Sequence, residues 1–335
     1  MGVFETRAPD RQAARHGHFM TERYSYSLDL SIVVVTYNSR DYVPECLDSV
    51  SRAAGNFDHE IIVVDNASQD GTPELVRQQF PNVRLFANRH NRGYAQGNNL
   101  GMTQSRGRYI LLLNPDTVVR PGALLAMLQV MKRSPGTGLL GCRLLNADGS
   151  LQQSFGFEVS FINEAVRKFF FNLWDDYRFP PAGWILKRLH ARKREVAWVK
   201  GACMLLCRQA VFDAELMDEN FFMYLEDADL SRRIRQLGWK VRYTPEAEVT
   251  HFGGGSTRSN PGKSAVEHRR SQLHYFKKHL GRTHLNALKC YLRLKMRKNI
   301  LWLNVRQWVG WGSREQLAEQ KLYLQEILSL TRNFH

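Results

Sequence analysis

The stretch Tyr224-Leu225-Glu226-Asp227-Ala228-Asp229-Leu230 packs three carboxylates into four positions at the start of a helical pattern. A helix N-terminus tolerates acids through its dipole, and that alone accounts for Glu226 and Asp229. The lead-in Phe221-Phe222-Met223-Tyr224 is aromatic, so an acid beside it is partly buried and must be paired or used. Asp227 is suited to act there as a general base, taking a proton from a hydroxyl. Asn114-Pro115-Asp116 closes a run of three leucines. Asp116 could share a Mg2+ or Mn2+ ion with a diphosphate, or it could simply turn the chain. His251 closes the last short apolar run, ahead of Gly253-Gly254-Gly255 and the polar Ser256, Thr257 and Arg258. A lone histidine is commonly structural, but this one suits a metal ligand beside a loop that covers phosphate.

Two more polar segments follow apolar runs. Asp65 to Thr72 (DNASQDGT) begins where a strand pattern ends. Asp70-Gly71 reads as a turn and Thr72 as a helix cap, whereas Asp65 can accept from a nucleobase N–H or a ribose hydroxyl. Asn91 to Asn99 (NRGYAQGNN) opens the next helix with small residues. These let a nucleotide approach the backbone at a helix end that favours phosphate.

The elements that position these groups alternate. Ser31–Tyr37, Glu60–Asp65, Val83–Ala87 and Tyr109–Asn114 read as buried parallel strands. Between and after them, Tyr42–Ala53, Thr72–Phe80, Tyr94–Ser105 and Pro121–Lys132 carry helical spacing, with Pro121 placed in a first turn. This alternation predicts an open, doubly wound α/β sheet whose ligand crevice lies outside the carboxyl ends of the strands. Asp65, Asn114 and Asp116 all fall there. Leu139–Leu145, Ala197–Cys207, Lys240–Tyr243 and Glu248–His251 supply later strands, and Glu226–Leu237 a helix. Phe155–Lys193 is rich in aromatics and charges and reads as an inserted helical segment or acceptor-side loop.

At 335 residues, 43% hydrophobic and 24% charged, the chain is an ordinary folded protein rather than a disordered or multi-span one. Cys46, Cys142, Cys203, Cys207 and Cys290 lack paired CxxC spacing, which argues against a disulfide framework or zinc site and for a reducing cytoplasm. The first 28 residues read as a loose tail without a secretory signal, and no stretch offers about 18 apolar residues for a spanning helix. Net charge is +15, concentrated near the C-terminus: from Gly262 to Gly310 twelve Lys or Arg stand against Glu267 alone. Anionic lipid, an anionic acceptor and nucleic acid are the partners that such a charge admits.

In order, SIVVVTYNS, VVDNASQDGT, NRGYAQGNN, LLLNPD, GACMLL, EDADL and a histidine 24 residues after Asp227 resemble the inverting family 2 glycosyltransferases of GT-A fold, and among them bacterial rhamnosyltransferases. The likeness runs from Ser31 to Arg258. It implies a GT-A type, Rossmann-like, mostly parallel sheet flanked by helices over residues 29–260, with 155–195 as an acceptor-side insertion. A basic amphipathic helical extension would occupy 261–335. The resemblance places Thr36, Asp65, Gly93, Asn98, Asn114, Asp116 and Arg258 around a nucleoside-diphosphate sugar. Lys200, Gly201, Ala202 and Glu226 would line the sugar and acceptor pocket, with Asp116 and His251 on the metal and Asp227 as base. Asn114 departs from the family pattern, standing where the metal motif has its first acid. The implied reaction is a single in-line displacement that moves a sugar, rhamnose first, from a dTDP-linked donor to a glycan or polyprenyl-linked hydroxyl.

Two other classes fit less of the sequence. A sugar-nucleotide-forming nucleotidyltransferase would want a glycine-rich loop after the first strand, where this chain has Thr36-Tyr37-Asn38-Ser39-Arg40. A non-catalytic nucleic-acid-binding or membrane-binding protein explains the charge and leaves Asp116, Asp227 and His251 idle. In the tail, Leu285, Leu288, Leu292, Leu294, Ile300, Leu301, Trp302, Val305 and Trp308 are interleaved with cations. That pattern belongs to helices at the cytoplasmic face of an anionic membrane or to helices packed on the domain.

Overall fold

The computed structural model describes residues 26–55, 57–160, 180–253 and 261–334. The expected tail therefore lies outside the described residues, except that the first strand already begins at Leu28. Strands β1 (Leu28–Thr36), β2 (His59–Asp65), β3 (Arg84–Ala87) and β4 (Gly107–Leu113) alternate with helices α1 (Val43–Ala53), α2 (Thr72–Gln79) and α3 (Tyr94–Gln104). Then come β5 (Thr117–Val119), α4 (Ala123–Arg133), β6 (Thr137–Leu145), β7 (Leu151–Gln152), β8 (Phe155–Gly156), α5 (Pro180–His190), β9 (Arg194–Glu195) and β10 (Trp198–Val199). The catalytic half closes with β11 (Cys203–Cys207), α6 (Arg208–Asp213), α7 (Glu226–Gln236) and β12 (Lys240–His251).

The main sheet runs β3-β2-β1-β4-β11-β6-β12-β5. Pairs β1–β2, β2–β3, β1–β4 and β6–β12 are parallel, as the βα alternation predicts. Strand β11 runs antiparallel to both neighbours, β4 and β6, because the chain enters it from the carboxyl edge and must run back through the sheet. Register gathers the polar ends at that edge: Thr36 pairs with Asp65, Cys203 with Leu113 and His251 with Thr117. Ile32, Val33 and Val34 of β1 are fully buried, as suits a strand covered on both faces.

Four local readings change, the first being that Ala197–Cys207 is not one strand but two, β10 paired with β8 in a small second sheet and β11 in the main one. The helix expected from Pro121 starts at Ala123, because Gly122 is left-handed at φ 78° and a turn closes from the Ala123 N–H to the Arg120 carbonyl. The two last strands are one, β12, with a break in register between Thr244 and Glu248. Thr72 does not cap α2; the Asp70 carboxylate accepts from both the Thr72 N–H and its hydroxyl.

Helix α3 lies directly on β1. A Cβ placed on Gly101 would stand 2.2 Å from Val33 Cγ1, a contact that the core has no space to absorb. Gly101→Ala is expected to cost about 1–3 kcal/mol through overpacking, read as a lower urea midpoint at unchanged slope.

The C-terminal region forms α8 (Pro261–His279), α9 (Gly281–Val309) and α10 (Arg314–Asn333). Leu273, Tyr275, Phe276, Leu285, Leu288 and Leu292 build a second core with Phe221 and Ala228, so these helices pack on the segment that carries Asp227. Ion pairs add to this contact. Asp218 meets His274 at 3.0 Å and Lys278 at 2.7 Å, while Asp229 meets Lys278 at 2.8 Å, His279 at 2.6 Å and Arg233 at 2.8 Å. Burial would raise both carboxyl pKa values, but the hydrogen bonds from these cations outweigh it and hold both below 3.8. Carboxyls depressed in this way stabilise the fold above their ordinary pKa and lose that contribution as pH falls through the folded values. Melting temperature is therefore expected to drop steeply below about pH 4, and Asp218→Asn should flatten that drop.

Candidate active site

Asp227 sits at the start of α7 after two consecutive non-glycine residues in the left-handed region, Tyr224 at φ 73° and Leu225 at φ 65°. Such conformations cost of order 1–3 kcal/mol each and persist where their surroundings over-determine them. Here the packed α8 supplies the constraint: the Ser271 hydroxyl donates to the Met223 carbonyl at 2.7 Å. The turn aims Asp227 at the β10–β11 connection, where its Oδ2 accepts from the Gly201 N–H at 3.0 Å and its Oδ1 from the Ala228 N–H at 2.7 Å.

Glu226 beside it is 6% exposed, and its Oε2 has no hydrogen-bond partner among the described residues. Burial, then the charges of Asp227 and Asp229, raise its pKa to about 8. Burial raises Asp227 as well, opposed by the two N–H donors and by Lys200. Asp227 is the better-stabilised anion of the pair, because two N–H groups and the Lys200 charge favour its ionised form and Glu226 has no such donors on Oε2 among the described residues.

Lys200, Gly201 and Ala202 join the two halves of the site. The Ala202 carbonyl accepts from the Asn114 N–H at 3.0 Å, and the Gly201 carbonyl from the Tyr94 hydroxyl at 2.8 Å. Burial lowers the Lys200 pKa, while the charges of Asp227 and Asp116 oppose that fall. Its ammonium donates to Gln152 Oε1 at 2.9 Å.

The same Gln152 oxygen lies 2.7 Å from His251 Nδ1. A carbonyl oxygen can only accept, so Nδ1 carries a hydrogen and Nε2 points at Asp116, 3.4 Å from its Oδ1. Burial would raise Asp116, but the hydrogen bond and charge of His251, with Lys200, hold it below its ordinary value. The Asn114 amide nitrogen lies 3.5 Å from the same Nε2, and its Oδ1 is buried without a partner. Asp116 and His251 thus converge as an oxygen and nitrogen donor pair, with the Asn114 amide nitrogen beside them. Among the described residues no group of three or more His, Cys, Asp or Glu side chains could hold a metal by itself. Asp116 and His251 would supply two ligands to a hard cation and leave its other positions to oxygen donors from elsewhere.

The expected nucleotide residues form a scaffold of hydrogen bonds. Asp65 is 1% exposed and accepts from the Thr36 hydroxyl at 2.8 Å, the Ser68 N–H at 2.9 Å and the Ser68 hydroxyl. Asn98, also 1% exposed, donates back to the Tyr94 carbonyl within α3. Gly93, at φ 94°, lets α3 meet the Asp227 segment, since a Cβ there would lie 2.4 Å from the Phe222 carbonyl oxygen. Arg258, with Ser256 and Thr257, lies outside the described residues. A cavity of about 550 Å³ lined by Asn88, Arg89, His90, Arg92, Gln96 and Leu100 opens beside this scaffold, and the carboxylates do not line it.

Three contributors escaped the sequence reading. Asn66 ties Gly93 to Asn88, and Tyr94 reaches Gly201; both stand inside segments singled out for other residues. Gln152 orients both His251 and Lys200 from a two-residue strand that carries no sequence signal at all.

Comparison with known proteins gives the family. The family model for glycosyl transferase family 2 matches residues 31–208. N-acetylglucosaminyl-diphospho-decaprenol L-rhamnosyltransferase of Mycobacterium tuberculosis is 32% identical over 253 residues, 72% of this chain and 82% of that one. The succinoglycan biosynthesis protein ExoO of Rhizobium meliloti is 39% identical over 102 residues, 30% of this chain and 29% of its own. A mannosyltransferase from Pyrobaculum calidifontis, solved with GDP-Man and Mn2+, superposes with a TM-score of 0.53 at 15% identity, covering 96% of this chain and 94% of that one. GalNAc-T7, solved with UDP, GalNAc and Mn2+, gives a TM-score of 0.52 at 14% identity, covering 92% and 56%. The GT-A-like fold and the matched family model agree, and the chain is a glycosyltransferase that belongs to family 2.

Proposed function

We propose that the protein transfers a rhamnosyl group, with inversion, from a dTDP-linked donor to a hydroxyl of a polyprenyl-linked glycan. The observation that carries the mechanism is the convergence of Asp227 and Asp116 on one turn, Lys200–Ala202, at the carboxyl edge of the sheet. Asp227 removes the proton from the acceptor hydroxyl as that oxygen attacks the anomeric carbon. Glu226, holding its proton, leaves one negative charge on the pair rather than two. Lys200 offers its positive charge between the two carboxylates, on the path of the departing diphosphate. Asp116 and His251 would hold a Mg2+ or Mn2+ ion, which supplies charge stabilisation to the leaving group. With Asn114 in place of an acid, that ion would carry less neutralising charge from the protein and more from the diphosphate.

The sugar and acceptor rest on the mycobacterial relative, whose name specifies a rhamnosyl group and a decaprenol-linked acceptor. No helix among the described residues is long and apolar enough to cross a membrane. A polyprenyl-linked acceptor would put the reaction at the cytoplasmic face of the inner membrane, with the protein attached peripherally. Sugar-nucleotide synthesis is disfavoured by the loop after β1. Its Asn38 and Arg40 N–H groups already donate to Ser68 and Asp70, so they cannot cradle a triphosphate.

The test is a panel of nucleotide sugars offered with a polyprenyl-diphosphate-linked acceptor to the purified protein. Rhamnosyl transfer from the dTDP donor is expected, with product of inverted anomeric configuration by NMR. Asp116→Ala should lower kcat/KM about 100-fold, equivalent to about 2.7 kcal/mol. Retention of configuration, or efficient transfer only from a different donor, would refute the reading.

A further inference from the structure

Helix α9 is apolar on two opposite faces, and among the described residues only one of them is covered. Leu285, Leu288, Leu292, Met296 and Leu303 are buried against α8 and α10. At 3.6 residues per turn, Leu294, Leu301, Val305 and Trp308 fall on the side directly opposite. That side is free: Leu294 is 62% exposed, Leu301 66% and Trp308 87%. Trp302 and Val309 widen the stripe, and Trp311 extends it past the helix end at 61% exposure.

Large side chains left in water in this number mark an interaction surface, and their chemistry selects among partners. Arg297 and Lys298 are exposed on the stripe and its flank, and α9 contains no Asp or Glu along its 29 residues. Two copies of such a face would repel one another. An anionic lipid surface matches it: cations meet the phosphates, and tryptophan indoles lie at the level where an apolar ring and an N–H donor are both satisfied.

We propose that the stripe from Leu294 to Trp311 is a membrane-docking face that lies in the headgroup layer of an anionic bilayer. The inference rests on the lipid-linked acceptor reading for its use, but not for its test. The helices that bear the face also shape the acceptor side of the site. Helix α8, which packs on α9, holds the loop before Asp227 through Ser271 and through the contacts of Asp218 and Asp229. Docking α9 would therefore set the base-bearing turn at a fixed height above the lipid surface, where a polyprenyl-anchored hydroxyl is presented.

The experiment is flotation of the full chain with vesicles of phosphatidylcholine alone and of phosphatidylcholine with 30% phosphatidylglycerol, the latter at low and high salt, taking about 30% as near a bacterial anionic content. Binding is expected to the anionic vesicles alone, and high salt should release it. The triple variant Trp302→Ala, Trp308→Ala, Trp311→Ala should reduce partitioning at least tenfold. Its helical circular dichroism and donor hydrolysis should match the parent, because those side chains are exposed. Equal binding to both vesicle types, or no binding to either, would overturn the proposal. So would a wild-type dimer in sedimentation that the triple variant dissociates without any vesicle binding. If docking fails while rhamnosyl transfer proceeds, only the docking face is refuted; if vesicles bind and no sugar is transferred, only the transferase assignment is.

Discussion

Asp227→Asn is expected to lower kcat for transfer by about 10²–10⁴-fold, the usual contribution of a positioned general base, with donor KM nearly unchanged. The amide oxygen keeps one of the two N–H contacts, to Gly201 or to Ala228, gives up the other, and cannot take the proton. The pH profile gives a second readout. Asp227 is raised by burial, so activity should fall as pH drops through a value above 3.8, where the base becomes protonated. Glu226 ionises only near pH 8 because burial and the Asp227 charge resist it. Glu226→Gln should therefore keep the acid limb, remove the feature near pH 8, and lose far less rate than Asp227→Asn. If Glu226→Gln abolishes transfer while Asp227→Asn spares it, the two roles are reversed.

Asp229→Ala should be the most damaging single change to stability, about 3–5 kcal/mol by urea unfolding. The Asp229 carboxylate is fully buried and accepts from Arg233, Lys278 and His279 together. Removing it leaves Arg233 and Lys278 facing one another beside the His279 ring at the junction of α7 and α8, and breaking a buried charge cluster from one side is far costlier than never having built it. The loss should reach the chemistry too, because Asp227 lies on the same first turn of α7. Stabilised by an osmolyte to restore folding, the variant should still show a reduced kcat. A full return of rate would mean that Asp229 only holds the helices together.

Much of the fold was legible because parallel strands buried on both faces must be continuous apolar runs, and β1, β2 and β4 are such runs. Their polar ends then had to meet at one sheet edge, which is why Asp65, Asn114 and Asp116 were found together without coordinates. Boundaries were less legible where backbone conformation, not hydrophobicity, decides. Gly122 turned a predicted first helical turn into a loop. Short pairings such as β5, three residues long, carry too little pattern to stand out.

The site was legible in its residues and not in their roles. Asp65 and Asn98 belong to recognisable segments, and only the structure gives their contacts: Asp65 accepts from Thr36 and Ser68, and the Asn98 amide nitrogen donates to the Tyr94 carbonyl while its Oδ1 has no partner among the described residues. Gln152, which aims His251, could not be singled out because its contact spans 99 residues of sequence. The tail shows the same division: its periodicity allowed packing or membrane contact, and the structure gives α9 one buried face and one open face.

The sequence by itself determined the sheet, the edge at which chemistry collects and the identity of the acids, since apolar period and strand-end polarity are local properties. Only the tertiary structure decided how the two adjacent acids, Glu226 and Asp227, differ. That depends on Gly201, Ala228 and Lys200 stabilising the Asp227 anion while Glu226 is left buried and unpaired. Proton affinity is set by what surrounds a carboxyl in space, and those neighbours come from two separate parts of the chain, residues 200–201 and 226–228.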